Sequence, residues 1–424
     1  MEEPKVLELQ VFKEEVVIEE ADLKKSGYFI SIGAGLNQKP LIETANSLGL
    51  KTISIDKNDV APGFEISDVK ILESTSEYRK IYSALRHIPL TDKIVAVGTR
   101  SYGKATYSAA YLSSKFKLVG TEPEVIKLFE NKKSYLSFLN SKGLRTPKSY
   151  EWKNKSSLNK LLNEIEFPVI LKPSMGNGKI GIEHFENKEE FKLRIDKNFP
   201  DSQKFVLEEF ISGPEITVLG LSQNQKFHLC SITDKWTTSK APFLEIAHTS
   251  PSRFQYLEAE IRIYIQNIIF YTNYSSGPFV AEFKIDRNGD LVLLECNPEV
   301  GGEFLADQLI PHAYKYSYFE SYVKILASRT FTAPKQNAIP KNLITCIYYY
   351  LPPSFASKIK SIPDFLPSIS ENLFFEQNLK KENEMVDRSK GNNSRIKVIG
   401  ITRTQDISTE SWLDELSKRI EIGY

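Results

Sequence analysis

The sequence predicts a multidomain protein in which an α/β domain precedes α+β units, and three observations lead to this fold class. The chain has 424 residues, too many for one ordinary compact core. Residues 28–120 alternate short apolar runs with helical patterns, which is typical of an open sheet with crossing helices. From residue 169 onward, β-branched and aromatic runs separated by glycine and asparagine predict strands.

The α/β domain begins with a strand over residues 28–32, the turn Gly33-Ala34-Gly35, a helix over 40–48 and a strand over 51–56. A second round of strand, helix and strand is predicted at residues 94–97, 105–112 and 117–120. The glycine turn also suggests a dinucleotide site, since Asp56 follows about 20 residues later, where an acid binds ribose in such sites. Gln38 replaces the third glycine, so a tight turn is the preferred interpretation and nicotinamide binding the alternative.

Composition excludes several classes of function. Lys and Arg number 55 against 54 Asp and Glu, and a net charge of +1 provides no broad field for binding nucleic acid or an anionic membrane. No apolar run approaches the roughly 18 residues of a membrane-spanning helix. The N-terminus lacks the features of a secretory signal, which predicts a cytoplasmic protein. The cysteines and histidines are scattered, which argues against a zinc site or a disulfide framework.

Later elements are predicted more coarsely. A helix follows residue 121 and ends at Gly143, and another occupies about 258–271. A third helix is expected over about 305–327. The polar segment 377–395 lacks hydrophobic periodicity, so we expect it to be mobile.

The most informative segment is a hairpin that contains two glutamates. Asn288-Gly289 is a strong turn signal, and if these two residues form the loop, Glu282 faces Glu295 across the hairpin. Such a carboxylate pair repels unless a cation lies between the two side chains. Asn297 points to the same face as Glu295, which completes an oxygen set suited to Mg²⁺. A longer loop would shift this register.

Two further segments have compositions that would suit the binding of a nucleotide. The run from Lys172 to Gly181 follows a buried strand and is rich in glycine, so its amides could surround phosphate oxygens, although it is not a Walker A loop. A flexible hairpin tip is the alternative. The acidic pair Glu208-Glu209 precedes Phe210 and Ile211, a composition that an adenine slot needs and that an exposed hairpin would also have.

Taken in order, these segments resemble the ATP-grasp enzymes, especially the carboxylate-amine ligases related to L-amino acid ligases, biotin carboxylase and carbamoyl phosphate synthetase. The resemblance covers nearly the whole chain. It implies a pre-ATP-grasp α/β domain (1–125), a small subdomain with a glycine-rich lid (126–207), a large subdomain with the metal site (208–335) and a C-terminal α+β extension (336–424).

The resemblance also implies roles for individual residues. The ATP-binding set is Lys132, Lys172, Ser174, Gly176, Gly178, Glu208, Phe210, Ile211 and Glu215. The metal ligands would be Glu282, Glu295 and Asn297, with Mg²⁺ as the expected ion and Mn²⁺ as an alternative. The acceptor substrate would contact His248, Ser250, Gly301 and Gly302.

One departure from the family pattern bears on catalysis. Glu299 stands where the family has an arginine that stabilises the transferred phosphoryl group. We expect another cation to replace it, with Arg253 and Lys240 as the catalytic candidates. Lys235 and Lys284 are further candidates.

The resemblance implies an ATP-dependent ligase that converts a small-molecule carboxylate to an acyl phosphate and joins it to an amine. The expected partners are those two substrates, with neither nucleic acid nor membrane, and with a homodimer as an expected assembly. Two alternatives stay open: a nucleotide-binding homologue impaired by Glu299, and a nicotinamide-dependent dehydrogenase.

Overall fold

The computed structural model describes residues 27–152, 158–173, 179–198, 205–302, 304–333, 342–404 and 407–424. Ser174, Gly176 and Gly178 of the predicted phosphate loop lie outside the described residues. Within the described part of the chain, no helix combines the length and apolar character needed to cross a membrane.

The N-terminal domain is a parallel sheet with the strand order β3-β2-β1-β4. Its elements are β1 (Tyr28–Ile32), α1 (Lys39–Ser47), β2 (Lys51–Asp56), β3 (Val69–Leu72), α2 (Tyr78–His87), β4 (Ile94–Gly98) and α3 (Lys104–Phe116). All residues of β1 are buried, as expected for a strand covered on both faces. The predicted strand at 117–120 is wrong, because α3 extends to Phe116 and Lys117 closes it with a φ of 55°. The remaining strand of this sheet, β3, was not predicted from the sequence.

The small subdomain is an antiparallel sheet with the order β5-β8-β6-β7. The helices α4 (Pro123–Leu128) and α5 (Lys132–Ser141) lead into it, and Asn131 caps α5 by accepting a hydrogen bond from Ser134 N. The elements of this subdomain are β5 (Ser149–Trp152), α6 (Leu158–Glu164), β6 (Val169–Pro173), β7 (Glu183–Phe185), α7 (Lys188–Asn198) and β8 (Phe205–Glu209). It has its own apolar core, to which Leu171, Phe191 and Leu207 belong.

The large subdomain and the C-terminal residues share one eight-stranded sheet of order β13-β12-β9-β10-β11-β14-β18-β16. The large subdomain supplies β9 (Glu215–Gln223), β10 (Lys226–Thr237), β11 (Glu245–Ser250), α8 (Glu258–Thr272), β12 (Gly277–Ile285) and β13 (Leu291–Asn297). A π-helical turn (Leu305–Leu309), α9 (Ile310–Tyr314) and α10 (Tyr318–Leu326) follow, so the single helix predicted there is interrupted.

Three of the C-terminal strands, β14, β16 and β18, extend this sheet, whereas β15 and β17 pair with each other in a separate two-stranded sheet. The C-terminal elements are β14 (Leu343–Tyr350), β15 (Ser357–Lys358), β16 (Glu371–Asn378), β17 (Met385–Val386), β18 (Lys397–Thr404) and α11 (Thr409–Arg419). The segment 377–395, which we expected to be mobile, contains the end of β16, β17 and a 3₁₀ turn, Arg388–Ser394. Ser394 and Arg395 are buried, so the end of this segment packs against the fold, which the lack of hydrophobic periodicity did not predict.

The eight-stranded sheet has two distinct faces because side chains alternate along each strand. The back face, which includes Ile216 and Phe283, packs against α8; the rings of Phe283 and Tyr264 lie 5.2 Å apart. The front face carries polar residues, Glu215 and Lys235 among them, along the edge nearest the small subdomain. Farther along, it packs on the helical segment 305–326.

Candidate active site

The hairpin of β12 and β13 brings the predicted metal-binding carboxylates together. Ile285 pairs with Leu291, so the loop is longer than the predicted two residues, and Gly289 adopts a φ of 87° within it. A β-bulge next to Glu282 then shifts the register, and Glu282 pairs with Glu295. The predicted loop is therefore wrong, but the facing pair of glutamates is confirmed.

Each of these carboxylates already contacts a lysine. Glu295 Oε2 lies 3.1 Å from Lys132 Nζ, and Glu282 Oε1 lies 2.6 Å from Lys235 Nζ. Asn297 Nδ2 donates to Glu295 Oε1 at 2.9 Å, which confirms that both side chains share one face. The attraction of Lys132, which outweighs desolvation, lowers the pKa of Glu295 to about 2. The two lysines thus offset the repulsion expected between the paired glutamates.

A second lysine lies beside Lys132. Lys172, in β6, forms an ion pair with Glu208 in β8. Burial and repulsion from Lys132 lower the pKa of Lys172 to about 8. Burial also favours the neutral form of Lys132, but attraction from Glu295 and Glu208 raises its pKa above the usual value. Two lysines and two carboxylates, predicted from separate segments, therefore form one cluster between the small and the large sheets.

Lys235 is the central cation of the front face. Its side chain is 2% exposed, and Nζ lies 2.8 Å from Glu215 Oε1 as well as 2.6 Å from Glu282 Oε1. Burial opposes its charge, but the two glutamates raise the pKa of Lys235 well above its usual value. Lys284 lies farther from Glu215, at 3.6 Å, and donates to Gly213 O at 2.8 Å.

Aromatic rings surround the predicted adenine hinge. The Phe210 ring stacks on Phe243, with centroids 5.7 Å apart and planes 19° apart, and the imidazole of His184 lies 4.4 Å from Phe210. Lys179 Nζ donates to Phe243 O at 2.8 Å, which connects the loop between β10 and β11 to the small subdomain. The sequence analysis missed Phe243 and His184, because neither lies in a recognisable motif.

The two predicted catalytic cations lie outside this cluster. Arg253 donates from Nε to Asp234 Oδ2 at 2.7 Å, and its guanidinium lies 4.3 Å from the Trp236 ring centroid. Asp234 neighbours Lys235 in β10, so its side chain points to the back face. Lys240 is exposed in the loop after β10. Arg253 and Lys240 therefore lie apart from the carboxylate cluster, whereas Lys235, a further candidate from the sequence, lies within it.

The predicted acceptor residues lie farther along the front face. His248 Nε2 lies 2.7 Å from Glu245 Oε1, and His248 Nδ1 lies 3.1 Å from Thr233 Oγ1. Ser250 Oγ donates to Tyr314 Oη at 3.2 Å. All five residues are buried. Glu245 was not predicted, because residues three apart on a regular strand point to opposite faces, and only the bulge in β11 brings Glu245 and His248 together.

The two glycines predicted to line the acceptor site have steric reasons to be glycine. A Cβ at Gly301 would lie 2.5 Å from Val280 Cγ2, and Gly302 adopts a φ of 38°. They form the turn between Asn297 and the π-helical segment. The structure therefore accounts for the glycines by backbone geometry.

Glu299 connects the end of β13 to the N-terminal domain. Its Oε1 accepts a hydrogen bond of 2.8 Å from Gly103 N, just before α3. Burial raises the pKa of Glu299 to about 7, although the Gly103 amide opposes this shift. This position therefore supplies an interdomain hydrogen bond where the family pattern has a cation.

The N-terminal glycine turn offers little support for a dinucleotide site. Asp56 Oδ2 accepts from Ala34 N at 3.0 Å, and Oδ1 accepts from Asn58 N at 3.0 Å. Gln38 Nε2 donates to Ser101 Oγ across the turn. The acid that would bind ribose instead stabilises the loop, which argues against the dehydrogenase alternative.

Residues 165–307 match the model of the ATP-grasp domain. Over 148 residues the chain is 26% identical to a D-alanine–D-alanine ligase of Nitratiruptor, covering 34% of this chain and 43% of the ligase. The chain thus spans less than half the length of this curated relative.

Two solved structures share the fold over nearly their whole length. The L-amino acid ligase from Bacillus licheniformis aligns with a TM-score of 0.74 at 18% identity, covering 95% of this chain and 99% of that one. Phosphoribosylglycinamide synthetase from Anaerococcus prevotii aligns with a TM-score of 0.69 at 17% identity, covering 94% and 100%. These similarities establish the fold.

Proposed function

We propose that this chain is an ATP-dependent carboxylate-amine ligase, because residues 165–307 match the ATP-grasp domain and the fold aligns with that of an L-amino acid ligase. One observation carries the proposal. The phosphate-binding lysines and the metal-binding carboxylates, predicted from separate segments, converge in one cluster of ion pairs that includes Lys132, Lys172, Lys235 and Glu295.

In this proposal the nucleotide replaces existing ionic partners. Phosphate oxygens take over Lys132 and Lys172 from Glu295 and Glu208. The freed Glu295 becomes available to a metal ion, and Glu215 binds ribose, as the resemblance implies. Phe210 and the following Ile211 hold adenine, with Phe243 as an additional aromatic wall. The charges needed for binding are therefore already assembled.

The residues present fit a divalent ion. Glu282 and Glu295 are directly paired across the hairpin, and Asn297 contacts Glu295, so three oxygen-bearing side chains converge. Opposite Glu282, Thr217 Oγ1 is buried and makes no hydrogen bond within the described part of the chain. When bound, Mg²⁺, or Mn²⁺ as an alternative, would neutralise charge on the transferred phosphoryl group.

The reaction then proceeds on the front face. An oxygen of the substrate carboxylate attacks the γ-phosphorus, the bond to ADP breaks, and an acyl phosphate forms. The amine nitrogen attacks the acyl carbon, inorganic phosphate leaves, and the amine loses a proton. Lys235 supplies the buried positive charge near the phosphates, while His248 and Ser250 orient the acceptor.

A second candidate function is nucleotide binding without ligation. The observation that favours it is Glu299, whose carboxylate is bonded to Gly103 N where the family has an arginine. Calorimetry with Mg²⁺ and a non-hydrolysable ATP analogue tests the function that both candidates share. The absence of binding would reject both.

ADP release distinguishes the two candidates. A panel of small carboxylates, each tested with and without a panel of amines, should include a pair that stimulates ADP release from wild-type protein. Nucleotide binding without stimulated release by any pair would favour the second candidate. A homodimer, expected from the resemblance, can be tested by light scattering.

A further inference from the structure

The C-terminal residues reach the acceptor end of the front face. Glu245 and Asn392 exchange two hydrogen bonds: Glu245 N donates to Asn392 Oδ1 at 3.2 Å, and Asn392 Nδ2 donates to Glu245 Oε2 at 3.3 Å. Arg395 Nη2 lies 3.2 Å from the same Oε2. Both the main chain and the carboxylate of Glu245 are thus held by the segment that precedes β18.

This segment is itself firmly held. The guanidinium of Arg395 lies 3.7 Å from the Tyr349 ring centroid, and the residue is 4% exposed. Asp387 caps the 3₁₀ turn by accepting from Ser389 N at 2.7 Å, and Ser394 Oγ donates to Gly391 O at 2.6 Å. A rigid turn therefore presents the arginine to Glu245.

The other carboxylate oxygen of Glu245, Oε1, determines which ring nitrogen of His248 carries the proton. Because an ionised carboxylate only accepts hydrogen bonds, His248 Nε2 carries the proton in its 2.7 Å contact with Glu245 Oε1. His248 Nδ1 faces Thr233 Oγ1 on the neighbouring strand. Arg395 and His248, against the effect of burial, hold the pKa of Glu245 well below its usual value, so the carboxylate stays ionised.

We propose that Arg395 and Asn392 are positioning residues of the active site, which act through Glu245 to orient His248 toward the small-molecule substrate. This inference rests on the proposed function, since it assigns His248 to the acceptor end. The C-terminal turn before β18 therefore completes the active site, as the C-terminal strands complete the sheet. The ordered ring of His248 and an ionised Glu245 both depend on the C-terminal turn.

A matched control lies in the same C-terminal unit. Arg403, in β18, has a side chain that is 12% exposed and contacts Glu371 and Glu415 rather than Glu245. Arg403→Met removes a mostly buried, ion-paired guanidinium, as Arg395→Met does. A general loss of packing in this unit would affect both variants similarly.

Histidine NMR tests the positioning without any ligand. The chain has five histidines, so ¹⁵N-labelled imidazoles give few signals, and His248→Gln identifies those of His248. Arg395→Met should shift the His248 ring signals, whereas Arg403→Met should leave them in place. Unchanged His248 signals in Arg395→Met would overturn the proposal. If Arg395→Met does not fold, Asn392→Ala, which removes only the amide contact, serves in its place.

Kinetics with the substrate pair found by the ADP-release screen provides the second test. Arg395→Met should lower kcat/KM for the small-molecule substrate on the order of 100-fold, while binding of the Mg²⁺ complex of the ATP analogue stays unchanged. Arg395→Lys should recover part of the loss. Combining Arg395→Met with Glu245→Gln should cost no more than the worse single change, because both act on one carboxylate.

The outcomes separate this inference from the proposed function. Additive losses in the double variant, or equal losses in Arg395→Met and Arg403→Met, would overturn the positioning role. Failure of wild-type protein to bind the Mg²⁺–nucleotide complex would instead reject the proposed function, and the NMR comparison would still decide whether Arg395 orients His248.

Discussion

The Lys235→Met substitution keeps the approximate length of a buried side chain but removes the charge that bridges Glu215 and Glu282. Removing one partner of a buried ion pair typically costs about 3–5 kcal/mol. Glu282 is 31% exposed, and Lys284 Nζ remains 3.6 Å from Glu215, so both carboxylates keep some compensation. We therefore expect the free energy of unfolding to fall by about 3 kcal/mol, the lower end of that range.

Thermal denaturation followed by circular dichroism, without nucleotide or metal, measures this loss. For a cooperative unit of roughly 200 residues, about 3 kcal/mol corresponds to a decrease in Tm of roughly 6–12 °C. Lys284→Met is the matched control, because Lys284 is more exposed and farther from Glu215; its expected cost is below about 1 kcal/mol. Magnesium chloride alone should raise the Tm of Lys235→Met more than that of wild type, since two carboxylates have lost their cation.

Equal Tm values for Lys235→Met and wild type would refute this reasoning. So would equal losses in Lys235→Met and Lys284→Met. Either result would mean that the bridging ion pairs contribute little and that Lys235 is not a strongly held charge.

Three further predictions concern neighbouring contacts. Glu295→Gln should abolish Mg²⁺-dependent ATP turnover, and it should slightly lower rather than raise the Tm in metal-free buffer, because Lys132 loses its carboxylate partner. Phe243→Ala should weaken ATP binding measured by calorimetry on the order of tenfold, since it removes the ring stacked on Phe210. Glu245→Gln should be less stable than wild type at neutral pH, because the lowered pKa of Glu245 means that its ionised form stabilises the fold. Chemical denaturation should show this difference in stability shrinking as the pH falls below 4.5, the usual glutamate pKa.

Specific results would contradict each of these predictions. Full turnover by Glu295→Gln would remove that residue from the metal site. Phe270→Ala, at an exposed aromatic on α8, is the control for Phe243→Ala, and equal ATP affinities in the two variants would exclude an adenine contact. A pH-independent difference between wild type and Glu245→Gln would show that the Glu245 carboxylate does not stabilise the fold through its charge.

Local patterns in the sequence were sufficient to predict those elements whose structure depends on residues that are neighbours in the chain. The βα turn at Gly33-Ala34-Gly35 and the helix predicted over 258–271 follow from glycine geometry and apolar periodicity. The facing of Glu282 and Glu295 was also predicted, although a longer loop and a compensating bulge produce it. The longer loop shifts the register of β12 and β13, and the bulge shifts it back, so Glu282 pairs with Glu295 as predicted.

Long-range placement was not predictable in the same way. Arg253 follows β11 in the sequence, which suggested that it lies near the front face. Its partner Asp234 points to the back face, so the arginine is held away from the front-face carboxylates. Arg395 lies in a polar segment without periodicity, and only the pairing of β18 with β14 brings it to Glu245. A buried ion pair between residues far apart in the chain has no signature in either local segment.

By itself, the sequence determined the order of the α/β and α+β units, most of the strands and helices that build them, and the chemical character of the candidate nucleotide- and metal-binding residues. Apolar periodicity, turn geometry and carboxylate chemistry act over a few residues, so they can be read along the chain. The tertiary structure alone decided which lysine faces each carboxylate, that Glu299 bonds to the N-terminal domain, and that Arg395 contacts Glu245. These contacts depend on how sheets and helices pack, and that packing is set by surfaces that residues distant in sequence form together.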